Sequence, residues 1–171
     1  FTNDFEGVRN KMILNLFYST GIRLSELIAL KVCDVDYVNK QMKVFGKRSK
    51  ERIIPLLDSC LNSLLFYVES YRSLVEKDDG SLFLTKSGNV LYPKLVYRIV
   101  NSYLGDVTGV KQRSPHVLRH AFATHMLNDG ADLNAIKEIL GHSSLTSTQI
   151  YTRSSAERLK EIYKQAHPRG N

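Results

Sequence analysis

His116, Arg119, His120, His142 and Tyr151 fall within S-P-H-V-L-R-H-A-F-A-T-H (114–125), L-G-H-S-S (140–144) and T-Q-I-Y-T (148–152). Cationic and imidazole groups set around one tyrosine suit chemistry on a phosphodiester. The planar fork of arginine matches phosphate oxygens, and a tyrosine can serve as a covalent nucleophile. No acidic cluster of the kind that holds catalytic magnesium stands among them. The question these residues pose is whether the rest of the chain supports a metal-free phosphoryl transfer.

Taken singly, each of these residues reads as ordinary. His116 and Arg119 are three apart on one helical face, close to an amide-rich helix start that favours anions. His142 follows Gly141 on a turn, where an imidazole can donate to phosphate or carry a proton. Tyr151 is one of nine tyrosines, and most tyrosines are half-buried packing residues. Upstream, Thr20-Gly21-Ile22-Arg23-Leu24-Ser25-Glu26-Leu27 sets an arginine just past a helix-ending glycine, with Glu26 placed to orient its guanidinium from behind. An exposed ion pair of that type is worth only about 0–1 kcal/mol. Lys47 lies at the tip of a basic hairpin with Arg48, Lys50 and Arg52 close by, a natural phosphate contact.

The elements that must carry these groups are mostly helices. Val8, Met12 and Leu16, with Ile13 and Phe17, recur at four-residue spacing and predict a buried helix face over about 5–19, stopped by Gly21 as a left-handed cap. A short helix follows at about 24–30. Met42–Phe45 and Arg52–Leu56 read as strands around the hairpin, and an earlier strand near Val35–Tyr37 completes a small antiparallel sheet. From Leu57 onward helices return. Leu61, Leu64, Leu65 and Val68 line one, and residues 93–105 form another, after a short irregular link at Ser81–Asn89. Ser114-Pro115 starts the next helix, which ends at Gly130. Asp132 caps a helix with apolar Leu133, Ile136, Ile139 and Leu140, closed by Gly141. A final amphipathic helix spans about 155–166. The fold class is mainly α with a small antiparallel β-sheet.

The bulk numbers fit. One domain accommodates 171 residues, 43% of them hydrophobic and 24% charged. Lys and Arg outnumber Asp and Glu by 24 to 17, a net charge of +7 that favours a polyanionic partner, nucleic acid first. Cys33 and Cys60 read as reduced core thiols rather than a disulfide or zinc site. No apolar run approaches the ~18 residues of a membrane span. The expected location is cytoplasmic. The start at Phe1 without Met points to a fragment of something longer.

In order along the chain, these boxes resemble the catalytic domain of tyrosine recombinases, the integrase family, and within it the Xer-type site-specific recombinases. T-G-I-R-L-S-E-L with Arg23 looks like the first arginine box, and Gly46-Lys47 like the β-hairpin lysine. S-P-H-V-L-R-H-A-F-A-T-H looks like the second arginine box, L-G-H like the last histidine, and Q-I-Y-T like the nucleophile. The resemblance covers nearly the whole length, 1–171. One box alone is a weak signal, whereas all of them in order are very specific. Two departures stand out: Arg48 follows Lys47 where the family commonly has glycine, and Arg153 stands where Xer relatives often carry histidine.

The resemblance implies that Arg23, Lys47, His116, Arg119, His142 and Tyr151 are catalytic, with Glu26 and His120 in support and Arg48, Lys50 and Arg52 touching DNA. Tyr151 would attack the scissile phosphate, Arg23 and Arg119 would hold its non-bridging oxygens, and His116 would act as base. His142 would hydrogen-bond the phosphate, and Lys47 would protonate the leaving 5′ oxygen, with Lys50 a competing choice. It implies no metal and no cofactor. The implied partners are a double-stranded DNA recombination site and recombinase subunits in a homo- or hetero-tetramer, working through a Holliday junction. Chromosome dimer resolution and mobile-element movement both fit. Residues 155–171 would dock on a neighbouring subunit, and the family's N-terminal core-binding domain, which clamps the other side of the DNA, is absent from this chain. Rival classes are a metal-dependent nuclease using the His116/His120 spacing, a catalytically inactive DNA-binding protein of the same fold, and a type IB topoisomerase-like enzyme. The first is disfavoured because Val117 stands where the H-E-x-x-H pattern needs glutamate.

Overall fold

The computed structural model describes residues 1–46, 51–75, 79–107, 113–141 and 161–165. In chain order, α1 (Phe5–Thr20) and α2 (Leu24–Ala29) precede β1 (Val35–Asp36), β2 (Gln41–Phe45) and β3 (Glu51–Pro55); α3 (Asp58–Ser70), α4 (Pro93–Val107), α5 (Pro115–Asn128) and α6 (Leu133–Leu140) follow. The architecture is mainly helical with one three-stranded antiparallel sheet in the order β1-β2-β3.

Local chemistry explains most boundaries. The Asp4 carboxylate accepts the Gly7 amide at 2.8 Å and starts α1. At the far end Gly21 adopts φ +59°, a left-handed cap whose amide donates to the Phe17 carbonyl. A β-carbon there would lie 2.6 Å from Phe122 and 2.7 Å from Leu140, so glycine is required for packing as well as for φ. Asp132 starts α6 by accepting from the Asn134 and Ala135 amides, and Gly141 ends it at φ +67°. Ser114 sits at the cap position of α5 with Pro115 behind it, yet its side chain makes no capping bond.

The core draws on every layer. Met12, Ile13, Leu16 and Phe17 of α1 meet Phe122 and Met126 of α5, Leu64 of α3, and Met42 and Ile54 of the sheet. Burial alternates along β2, with Met42 and Val44 inward, and the register pairs Val44 with Arg52. Arg52 is therefore an inward-facing strand residue. Three expectations need correction. Leu65 is 36% exposed while Tyr67, two residues on, is fully buried, so the inner face of α3 is rotated from the reading along Leu61, Leu64, Leu65 and Val68. Leu133 is likewise exposed. Cys33 is exposed and only Cys60 is buried, although both are free thiols as expected.

The link at 81–89 is more ordered than its composition implies. Leu82, Phe83 and Leu84 are buried in full, held by a bridge from Lys31 to Ser81 and another from Leu84 to Val90. Arg72 is buried beneath it and donates to the Ser81 carbonyl at 2.8 Å. Near the C-terminus residues 161–165 are helical, and Tyr163 enters this chain's own core beside Phe122, its hydroxyl donating to the Ser19 carbonyl. Among the described residues, no helix is long and apolar enough to cross a membrane.

Candidate active site: two arginines seated on helix ends

The carboxyl ends of α1 and α6 meet, and the site is built on their carbonyl groups. A helix leaves its last carbonyls without intrahelical partners and carries partial negative charge there, a natural seat for guanidinium groups. Three consecutive residues at the end of α6 are used in this way. The Ile139 carbonyl accepts from Arg52 Nε at 2.8 Å, the Leu140 carbonyl from Arg119 Nη2 at 2.7 Å, and the Gly141 carbonyl from Arg23 Nη2 at 2.7 Å. Arg119 Nη1 also donates to the Gly21 carbonyl at the end of α1. The two left-handed glycines thus turn the chain and present acceptors in the same place.

Glu26 is the counter-charge. It is 3% exposed, and its carboxylate accepts the Arg23 backbone amide and Arg23 Nη1, both at 2.9 Å. It also receives both terminal nitrogens of Arg52, the Nη2–Oε2 contact at 2.8 Å. Burial alone would raise its pKa, but the bonds from Arg52 and Arg23 outweigh that and hold it below its ordinary value of 4.5. Glu26 thus lies behind Arg23, in contact with both its amide and its guanidinium.

Arg119 is half-buried. Burial first, then the charges of Arg23 and Arg52, bring its pKa down to about 10. It remains charged at neutral pH, in a site whose excess positive charge has no matching anion among the described residues. Arg23 keeps 34% of its side chain exposed. Each of these bonds uses one hydrogen of a terminal nitrogen, so both guanidiniums retain N–H groups for a ligand. His116 lies one turn before Arg119 on α5, exposed at the same helix end. His120 is exposed, with no hydrogen-bond partner among the described residues.

Arg52 departs from expectation. The hairpin position predicts a DNA contact, but Arg52 is only 8% exposed and its fork is engaged by Glu26 and Ile139. The sequence held a signal for this, because alternation with Ile54 puts Arg52 on the inner face of β3. The helix-end carbonyls that seat the arginines carried no signal, since every residue has one. Lys47, Arg48, Lys50, His142 and Tyr151 lie outside the described residues. Among the described residues, no group of three His, Cys, Asp or Glu could hold a metal ion.

Two buttressed arginines in a mostly helical domain with a β-hairpin define the class of the fold. The model of the phage integrase family matches residues 2–158. The chain belongs to that family, the tyrosine recombinases, and is similar to its Xer members. It is 47% identical over 170 residues to the tyrosine recombinase XerC of Chlorobaculum parvum, covering 96% of this chain and 51% of that protein. It is 40% identical over 165 residues to the tyrosine recombinase XerD of Staphylococcus saprophyticus, covering 95% of this chain and 56% of that protein. Among solved structures, XerA recombinase superposes with a TM-score of 0.69 at 31% identity, covering 94% of this chain and 64% of that one. A pre-cleavage complex of XerH recombinase with its difH substrate gives a TM-score of 0.75 at 25% identity, covering 95% of this chain and 44% of that one. The chain thus spans about half the length of the curated relatives it matches.

Proposed function

We propose that this chain is the catalytic domain of a site-specific DNA recombinase that cuts and rejoins strands without a metal or cofactor. The observation that carries this reading is the convergence of Arg23 and Arg119 on the joined ends of α1 and α6, with hydrogens left for an anion. Two guanidinium forks held in advance of the reaction can receive the non-bridging oxygens of a phosphodiester and stabilise charge as it develops. This does part of what metal ions do in other phosphoryl-transfer enzymes.

Tyr151 then attacks phosphorus, forming a 3′-phosphotyrosyl bond as the bond to the 5′ oxygen breaks. Free tyrosine has a pKa near 10, so its proton must leave as the bond forms, and His116 takes it. Lys47 gives a proton to the departing 5′ oxygen, with Lys50 as the alternative donor, and His142 hydrogen-bonds the phosphate. The phosphoester energy is kept in the protein link, so a hydroxyl from a second strand reverses the step on a new partner.

The substrate is a double-stranded DNA recombination site, approached by the basic hairpin through Lys47, Arg48 and Lys50. Assembly into a tetramer on two duplexes, through a Holliday junction, follows from the same reading, as does a cytoplasmic location. Docking of residues 155–171 on a neighbouring subunit would engage exposed Glu161, Lys164 and Gln165, because Tyr163 is already committed to its own chain. The test is a nicked suicide duplex that traps the covalent intermediate. Wild-type protein should accumulate an adduct with or without chelator, and Tyr151→Phe should bind the same DNA and form none. An adduct recovered from Tyr151→Phe would overturn the assignment.

A further inference from the structure

Arg52 occupies a position that its strand would ordinarily give to an apolar residue. It lies opposite Val44, inward-facing and 8% exposed, yet it carries a full positive charge. A buried guanidinium is tolerated only when its donors are met. Here they are met by two structures that also hold the phosphate-binding arginines. Its terminal nitrogens take both oxygens of Glu26, the same carboxylate that binds Arg23 Nη1 and the Arg23 amide. Its Nε takes the Ile139 carbonyl, next to the carbonyls that seat Arg119 and Arg23. A β-carbon on Gly141 would sit 3.0 Å from Arg52 Cδ and 3.2 Å from both Arg52 Nε and Arg23 Nη1, so the Gly141 end of α6 rests on the same side chain.

Building on the reading of this site as a phosphodiester clamp, we propose that Arg52 is a positioning residue that frees Arg23 to act on phosphate. The argument is one of charge. Arg23 with Glu26 alone would be a neutral pair, and the carboxylate would compete with any phosphate for the guanidinium. Arg52 meets the carboxylate from the other side with a two-pronged contact, so Glu26 fixes the direction of Arg23 without cancelling its charge. Arg23, Arg52 and Arg119 together with Glu26 leave two net positive charges. A phosphodiester attacked by a tyrosine oxygen passes through a five-coordinate arrangement with two negative charges, and a scaffold of net +2 matches that state better than it matches the singly charged ground state. Arg52 therefore acts on the chemical step more than on DNA affinity, through the shared carboxylate and the end of α6.

The experiment compares Arg52→Met, Arg52→Lys and the double variant Arg52→Met/Glu26→Gln with wild type. DNA binding and single-turnover cleavage of a nicked duplex are measured at saturating DNA, and thermal unfolding establishes that each protein is folded. Arg52→Met should bind DNA within about threefold of wild type but cleave roughly 10²-fold more slowly, the scale of a displaced catalytic group. Adding Glu26→Gln should recover part of that rate, because it removes the carboxylate that now holds Arg23. Arg52→Lys keeps the charge but loses the fork, and should cleave about tenfold more slowly. Wild-type rates in Arg52→Met or Arg52→Lys, or a double variant no faster than Arg52→Met, would overturn the proposal. A carboxyl NMR titration of Glu26 in DNA-free protein separates this idea from the reading it rests on. The Glu26 pKa should rise in Arg52→Met even if wild-type protein forms no adduct, and an unchanged titration would overturn the role of Arg52 by itself.

Discussion

Arg119 is held in a costly state, and its chemistry follows from that. A base whose folded pKa is lowered from its ordinary value to about 10 subtracts from stability at neutral pH. The deficit is full below about 10 and fades as pH rises above it toward the ordinary guanidinium range. Bound phosphate would relieve it by supplying the missing negative charge. Arg119→Ala is expected to slow cleavage by roughly 10²–10³, the usual scale for one electrostatic stabiliser, as read in single-turnover assays. Glu26 behaves in the opposite sense. Its folded pKa is depressed, so the stability it contributes is complete above 4.5 and is lost as pH falls through the lower folded value. Glu26→Gln should destabilise the protein at pH 7 by about 3–5 kcal/mol, because two guanidiniums lose their carboxylate. Thermal unfolding from pH 7 down to pH 3 should show the gap between variant and wild type closing at the acid end.

At the scale of elements, the site depends on where helices stop. Gly141 must take φ +67° while lying against Arg52 and Arg23. Gly141→Ala combines left-handed strain of about 1 kcal/mol with contacts that displace both guanidiniums. It should therefore lower cleavage far more than its modest loss of stability would suggest, a contrast that urea unfolding and single-turnover rates measured together would reveal. The left-handed stops at Gly21 and Gly141 were legible from glycine at the end of periodic apolar runs, as was the Asp132 cap. Which face of α3 turns inward was less legible, because Leu65 and Tyr67 are both suitable and only the neighbours Phe5 and Phe83 decide for tyrosine.

Across the whole molecule, one core joins both halves of the chain. Tyr163 is 1% exposed, touches Phe122 and bonds to Ser19, tying residues 161–165 to α1 and α5. Tyr163→Ala should cost about 3–5 kcal/mol, the range for a large buried aromatic, and should lower the unfolding midpoint without altering the charge of the site. The excess of seven positive charges belongs to the same scale, since it favours a polyanion wherever on the surface the charges lie. The link at 81–89 shows what composition hides. Three consecutive buried residues without periodicity resemble a loop in sequence and behave as core in the fold.

The sequence by itself determined the order and kind of the elements, the basic balance, and the residue types at the site, because apolar periodicity, capping residues and ordered boxes are local signals. It also placed Glu26 behind Arg23, since three residues on a helix start are neighbours whatever surrounds them. Only the tertiary structure decided that the ends of α1 and α6 meet, that their backbone carbonyls seat Arg119 and Arg23, and that Arg52 turns inward to share Glu26 instead of facing DNA. The reason is physical. Carbonyl groups are common to every residue, and the charge state of a buried cluster depends on contacts such as Arg52 to Ile139, which join positions 87 residues apart.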